Sequence, residues 1–223
     1  MIRTVAETGS TNDDVAALAR DGAPEGLWLR ADRQTGGKGR QGRAWQSPAG
    51  NLHASTLVRL RPGDPPAPTL ALLAAVALHE AVMPHAPTAL IKWPNDLLVD
   101  GAKLAGILLE RHGEAVIIGF GVNLAHHPDD LDRAATSLSP PVAPEPFLER
   151  LAAGFAAWLA RWRAEGLPRI RAAWLAAALP IGTPLVTHNA EGAFDGLDES
   201  GALRLRLPGG ALRLIHAGDV FLL

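Results

Sequence analysis

Between Ala89 and Asn123 the chain runs as short apolar stretches broken by turn residues, and Asp100-Gly101 sits between "NDLLV" and "AKLAGILLE". An Asp-Gly pair flanked by apolar runs is a strong hairpin signal, because both turn positions need positive φ, which these residues adopt readily. "RHGE" closes the next strand before "AVIIGFGVNL", so an antiparallel meander is expected. A two-residue turn also sets a register: Val99 faces Ala102, Leu98 faces Lys103, Leu97 faces Leu104 and Asp96 faces Ala105. Asp96 and Lys103 then become same-face diagonal neighbours with Cα atoms ~7–8 Å apart, carboxylate and ammonium pointing into one space. Beyond the small Ala105, Gly106 lets something approach the backbone closely. A solvated surface pair is the ordinary meaning of such a juxtaposition. The apolar runs on either side argue instead for partial enclosure, where an ion pair without a purpose would be costly.

The other segments supply helices and more strands. "GSTNDDVAALARDG" reads as a helix started by Ser10, Thr11 and Asn12, with Asp13 and Asp14 in the first turn and a stop at Gly22. "GLWLRADRQ" and "NLHASTLVRL" read as strands, and "TLALLAAVALHEAV" as a helix apolar nearly all round and therefore buried. From Glu145 to Ala178 one long amphipathic helix, with Phe147, Leu151, Phe155 and Trp158 as its anchors, is followed by a second after Gly166-Leu167-Pro168. After Pro180 the texture changes to "TPLVTH", "GAFDGLD", "ALRLRL" and "ALRLIHAGDVFLL", separated by tight turns. The expectation is an α+β fold, with a mixed, largely antiparallel sheet and flanking helices over residues 1–179. A small all-β barrel over 180–223 completes it.

Composition narrows the function classes. The longest purely apolar stretch, Leu70 to Leu78, is far below the ~20 residues of a membrane span, so a soluble protein is expected. No signal-peptide pattern opens the chain and it has no cysteine, which makes a cytoplasmic location the default. A net charge of -2 argues against nucleic-acid binding by the molecule as a whole. Any basic site is therefore local. Arg30, Arg33, Lys38, Arg40 and Arg43 crowd one glycine-rich stretch against the single acid Asp32. Within it "GKGRQG" matches G-x-G-x-x-G, but "RAWQSPAGN" follows where a Rossmann turn would open a helix, and no Ser or Thr follows the lysine as a P-loop requires. What remains is an anion-binding loop, its glycines admitting backbone N–H groups and its cations neutralising charge. The chain carries 21 Lys and Arg together, yet lysine stands only at 38, 92 and 103. Lysine is a compact charge on a thin stem where arginine is a planar fork. A chain so biased to arginine is expected to keep lysine where the fork does not fit.

"GSTN", "QTGGKGRQGRAW", "KWPNDLLVDGAKLAGILLE" and "GFGVNL", in this order, closely resemble the biotin protein ligases, also called biotin-[acetyl-CoA-carboxylase] ligases or holocarboxylase synthetases. The β-rich tail is similar to that family's small C-terminal SH3-like barrel. The resemblance implies activation of biotin with Mg2+ and ATP to biotinyl-5'-AMP, then transfer of biotin to one lysine of a biotin carboxyl carrier domain. It places Ser10, Thr11, Asn12 and Gln34 at the biotin ring, and Lys38, Gly39 and Arg40 in the biotin- and adenylate-binding loop. The resemblance also sets Arg43 beside that loop for phosphate, Trp45 as a wall of the nucleotide pocket, and Asn123 near adenine. By the same resemblance Lys103 contacts the biotin carboxylate and acyl phosphate, and Gly106 belongs to the biotin site. Lys103, Asp96 and Arg40 are the expected catalytic residues, Asp96 orienting the carrier's lysine or accepting its proton. Lys92 is expected to be supporting, and no resident metal site is expected.

Some features depart from the family pattern. Lys38 stands where the family loop often carries arginine, and no helix-turn-helix precedes the catalytic segment, so a DNA-binding role is not expected. The tail ends at "GDVFLL" without the basic residue that some relatives carry, leaving a barrel contact to ATP open. A homodimer through a sheet edge is also left open. The rivals are a lipoate or octanoate transferase on the same fold, a non-catalytic biotin- or nucleotide-binding module, and a nucleic-acid-binding barrel on an inert domain. His126-His127 reads as surface loop rather than a metal site, since adjacent side chains diverge.

Overall fold

The computed structural model describes residues 1–129 and 134–222; Leu223, the last residue of the expected barrel, lies outside them. Seven strands form the first sheet: β1 (Ile2–Thr8), β2 (Trp28–Gln34), β3 (Leu52–Arg59), β4 (Leu90–Lys92), β5 (Asp96–Val99), β6 (Ala102–His112) and β7 (Ala115–Val122), in the order β1-β2-β3-β7-β6-β5-β4. Within this sheet every neighbouring pair is antiparallel except β1 with β2. The expected meander is therefore present. Asp100 at φ 50 and Gly101 at φ 82 form the turn between β5 and β6 that both residue types favour.

Side chains alternate across β7, and this alternation divides the sheet's two faces. On one face Trp28, Ala54, Ile118, Phe120 and Ile107 belong to the main core with helices α2 (Leu70–Val82) and α3 (Pro144–Glu165). Trp28 stacks on Phe120 at 5.4 Å, with Phe155 of α3 edge-on at 5.7 Å from it. The all-round apolar α2 is enclosed as its composition demands; burying each of its Leu and Val side chains contributes about 1.5–3 kcal/mol. On the other face Leu29, Leu57 and Ile117 receive Val15, Ala16 and Ala19 of α1 (Thr11–Arg20) in a small second core. Further along that face β7 switches from Ile117 to Gly119 and Gly121, and the apolar layer gives way to a hollow beside the start of α1.

α3 and α4 (Leu167–Ala176) are joined through Gly166, whose φ of 73 permits the reversal. The chain then covers the β4 edge, with Ile91 N–H donating to Ala177 O at 2.8 Å and Leu179 N–H to Ile91 O at 3.1 Å. The tail forms β8 (Pro184–Thr187), β9 (Ala190–Leu197), β10 (Leu203–Arg206), β11 (Leu212–Ile215) and β12 (Val220–Leu222) in the order β11-β10-β9-β8-β12. The last sequence-predicted strand thus splits in two. β12 crosses to pair with β8, carrying the end of the chain back to the first sheet.

Candidate functional site

The hollow on the α1 face is a cavity of about 280 Å3. Ser10, Thr11, Asn12, Gln34, Lys38, Gly39, Arg40, Arg43, Trp45, Asp96, Lys103 and Gly106, expected from the sequence, all line it. Its floor is glycine. Gly106 of β6 lies opposite Gly121 of β7, and a Cβ at Gly121 would lie 2.4 Å from Cε2 of Trp45, so the indole can rest there only on bare backbone. A Cβ at Gly119 would lie 2.3 Å from Oδ1 of Asn12.

One end of the cavity is polar and uncharged. Gln34 Oε1 accepts from the Thr11 backbone N–H at 2.8 Å and lies 3.0 Å from the Thr11 hydroxyl. Thr11 Oγ1 meets Ser55 Oγ at 2.7 Å, Ser55 donates to Asn12 Oδ1 at 2.6 Å, and Asn12 Nδ2 donates to Glu110 at 2.7 Å. Thr11, Asn12 and Ser55 are buried. The expected capping of α1 is corrected here. Ser10 occupies the N-cap position, but among the described residues its side chain makes no capping bond; Gln34 of β2 takes the first helical amide instead. A tertiary acceptor has replaced the local one.

The other end is cationic. Asp96, 6% exposed, meets Lys103 Nζ at 2.6 Å and Lys92 Nζ at 3.0 Å. The diagonal pairing of Asp96 and Lys103 is thus observed, but the register that suggested it is corrected. A bulge after Lys103 sets Leu97 opposite Ala105 and Asp96 opposite Gly106, where an unbroken ladder would give Leu104 and Ala105. The extra residue brings Gly106 onto the same face as Lys103. A Cβ there would stand 3.3 Å from the lysine's Cε and Nζ, so glycine leaves the stem room. Burial pushes the Asp96 carboxyl up, but Lys103 and then Lys92 more than offset this and hold it below the ordinary carboxylate value. Lys92 is more than an accessory: it lies opposite Asp96 across the β4–β5 turn and donates to Val220 O at 2.6 Å.

The glycine-rich loop closes over this end with no more than a 3-10 turn at Arg40–Gly42 and no α-helix. Lys38 pairs with Ala44 as an isolated bridge, Gly39 N–H donates to Arg43 O at 2.7 Å, and Gln41 takes φ 56. Lys38 Nζ reaches Asp13 of α1 at 2.6 Å, whereas Arg40 and Arg43 face Asp219 at 3.3 and 2.7 Å. Trp45 places its ring centroid 5.5 Å from Lys103 Nζ. Asn123 is not brought into the cavity lining; it is buried, and its amide donates to Thr136 O at 3.0 Å beside the segment that hydrogen-bonds Lys103. Sequence reading missed Ser55, Asn95, Glu110 and Asp219. Arg40 donates to Asn95 Oδ1 at 3.3 Å, and "PND" could have flagged that residue. Nothing local to Asp219 announces a partner more than a hundred residues away. His126 and His127 lie apart from the cavity lining, His127 Nδ1 being 3.0 Å from Ser137 Oγ.

A polar, uncharged recess joined by a glycine floor to paired cations suits a small polar ring with a carboxylate tail beside a polyphosphate. Residues 8–123 match the biotin/lipoate A/B protein ligase family, and 187–223 match the biotin protein ligase C-terminal domain. The chain is 41% identical to a biotin–[acetyl-CoA-carboxylase] ligase of Paracoccus denitrificans, over 97% of this chain and 98% of the relative. The chain belongs to the biotin/lipoate A/B protein ligase family. This ligase superposes on the biotin protein ligase of Aquifex aeolicus in complex with biotin and ATP with a TM-score of 0.87, at 24% identity and covering 100% and 99% of the two chains. With the Leishmania major biotin protein ligase in complex with biotinyl-5-AMP the TM-score is 0.70 at 26% identity, covering 97% and 98%. Among the described residues no helix of the ligase is long and apolar enough to cross a membrane.

Proposed function

We propose that the chain attaches biotin to a lysine of a biotin carboxyl carrier domain in two steps, through biotinyl-5'-AMP. The observation that carries this reading is the cavity's division into an uncharged hydrogen-bonding end and a cationic end joined across the Gly106–Gly121 floor. The ureido ring of biotin enters the recess of Thr11, Asn12, Gln34 and Ser55, with Ser10 at its rim. The valerate carboxylate lies towards Lys103, and the triphosphate of ATP lies under Arg40 and Arg43, with Lys38 and Gly39 on the same loop and Trp45 against the nucleotide.

The first step joins two anions, so neutralisation and alignment supply the catalysis and no protein nucleophile is needed. Lys103 stands between the two ends and holds the carboxylate oxygen against the α-phosphate; pyrophosphate leaves towards the arginines. In the second step the carrier's lysine, as the neutral amine, attacks the acyl carbon; the C–N bond forms as the acyl C–O bond to phosphate breaks, AMP departs, and the proton the amine sheds passes to the AMP phosphate or to solvent. A carboxylate bridged by two ammonium groups is a weak base, so Asp96 orients Lys103 and Lys92 and the attacking amine rather than taking a proton from it. Mg2+ comes as part of the nucleotide substrate. Among the described residues no three His, Asp or Glu are grouped to hold a metal, and Asp96 and Asp219 each already bridge two cations, so the phosphates are the ion's main ligands.

A lipoyl or octanoyl substrate fits less well, because its apolar tail would make no hydrogen bond to the polar groups of Ser10, Thr11, Asn12 and Gln34 that it covers. We place the catalytic unit at 1–179 and the C-terminal unit at 180–223. The separate sheets and the separate family matches support this division. A cytoplasmic setting accords with the use of ATP. The test is mass spectrometry of a carrier domain incubated with the protein, ATP and biotin, beside Lys103→Ala. The intact protein should add one biotin, and Lys103→Ala should slow adenylate formation about 100-fold or more, as loss of one preorganised charge donor does. No mass gain with the intact protein would reject the reading.

A further inference from the structure

The cations of the site are gathered in two pairs, and one carboxylate bridges each pair. Asp96 joins Lys92 to Lys103, and Asp219 joins Arg40 to Arg43. Asp96 belongs to the sheet that carries the cavity. Asp219 comes from the other sheet, one residue before β12, and the next residue, Val220, accepts the hydrogen bond of Lys92 at 2.6 Å. The dipeptide Asp219-Val220 therefore touches both pairs.

We propose that Asp219 is a positioning residue for adenylation, fixing the Arg40 and Arg43 guanidinium groups at the phosphate end of the cavity and fastening the loop to the C-terminal sheet. The inference rests on the adenylation reading above. The loop has weak means of its own to hold these side chains. Gly39, Gln41, Gly42 and Arg43 are exposed or half-buried, Gln41 and Gly42 take positive φ, and the Arg43 side chain is 44% exposed. A free arginine carries about 2 kcal/mol of rotamer freedom, and two guanidinium groups brought together repel. A carboxylate shared between them removes both penalties. The Asp219 side chain is only 17% exposed, so water competes weakly for it.

The rival account, in which Asp219 is merely an anion competing with substrate phosphate, makes the opposite prediction. On that account Asp219→Asn adds positive charge to a polyanion site and lowers the KM for ATP. As a positioning residue, Asp219→Asn lowers kcat/KM for ATP about tenfold, since the arginines lose their alignment with the phosphates. The KM for biotin should move less than about twofold, because the recess lies at the other end of the cavity. Asp219→Glu, which keeps the charge and shifts it by one methylene, should recover most of the loss. Initial rates of pyrophosphate release from ATP and biotin are measured on the full chain, with thermal melts confirming that each variant is folded. Asp219→Ser replaces the asparagine variant if that one fails to fold. The wild-type rate tests the adenylation reading by itself. A wild type that releases pyrophosphate, beside an Asp219→Asn protein whose kcat is unchanged and whose KM for ATP is unchanged or lower, overturns the proposal.

Discussion

Replacing Asp96 with asparagine keeps the shape of the side chain and removes its charge. Lys92, with a side chain 8% exposed, loses an ionic partner at 3.0 Å, and Lys103, 29% exposed, loses one at 2.6 Å. Leaving a buried charge uncompensated costs about 3–5 kcal/mol. Val220 O still accepts from Lys92 and water reaches Lys103, so the lower end applies, about 3 kcal/mol. That is a large share of the ~5–15 kcal/mol by which a domain is stable. For a chain of this length it lowers Tm by roughly 6–12 °C, measurable by calorimetry at pH 7. A second arm isolates the cause. Lys92→Met combined with Asp96→Asn removes the cation along with its carboxylate and should cost less than the sum of the single changes, by about 1 kcal/mol or more. The pH dependence has a definite sign. The folded Asp96 carboxyl lies below its unfolded value of ~3.9, so its contribution is complete above that pH and is lost as pH falls through the lower folded value. The gap between wild type and variant should therefore be constant from pH 7 to 5 and narrow only below about pH 4. A loss under about 1 kcal/mol at pH 7, or a gap that closes before pH 5, would refute the two-lysine account.

Three further substitutions separate the site from its scaffold. Gly121→Ala drives a methyl group into the Trp45 indole, whereas Gly106→Ala meets only the end of the Lys103 side chain and the rim of the Trp45 ring at 3.3 Å; the first should lower kcat/KM for ATP by about tenfold or more and the second by a few-fold, with little loss of melting temperature in either. Arg163 holds Glu25 at 2.7 Å and Asp64 at 3.2 Å on α3, away from the cavity lining. Arg163→Met should cost about 2–3 kcal/mol in urea denaturation and leave pyrophosphate release per folded molecule unchanged. Because the Arg163 hydrogen bond holds the Glu25 carboxyl below its usual value, the part of that loss due to Glu25 should disappear in acid, as pH falls through the folded value.

The sequence showed the hairpin, the buried α2 and the convergence of Asp96 with Lys103, since each depends on local turn chemistry or periodicity. The β6 bulge was hidden because "AKLAGILLE" reads equally well in either register, and only packing against β7 chooses between them. β1 escaped notice because it is mostly exposed and so lacks the alternation that marks a half-buried strand. Gln34 as the acceptor for α1, Glu110 on Asn12 and Asp219 on the basic loop are long-range contacts. Their residue types are common surface residues, and it is the fold that gives them partners. Asn123 illustrates the reverse: a residue placed by family resemblance near the nucleotide has its amide turned to Thr136, steadying the backbone beside Lys103.

Six tryptophans are distributed in a way that makes the molecule optically informative. Trp28, Trp93, Trp158, Trp162 and Trp174 are buried, and none of them lines the cavity. Trp45 is half-buried on the glycine floor, with an ammonium group near its ring and, among the described residues, no partner for its indole N–H. Its emission is the component that should shift in energy or intensity when the loop or its neighbours move. Occupancy of the cavity can thus be followed in the unlabelled protein, in real time, through the one tryptophan that lines it among the described residues.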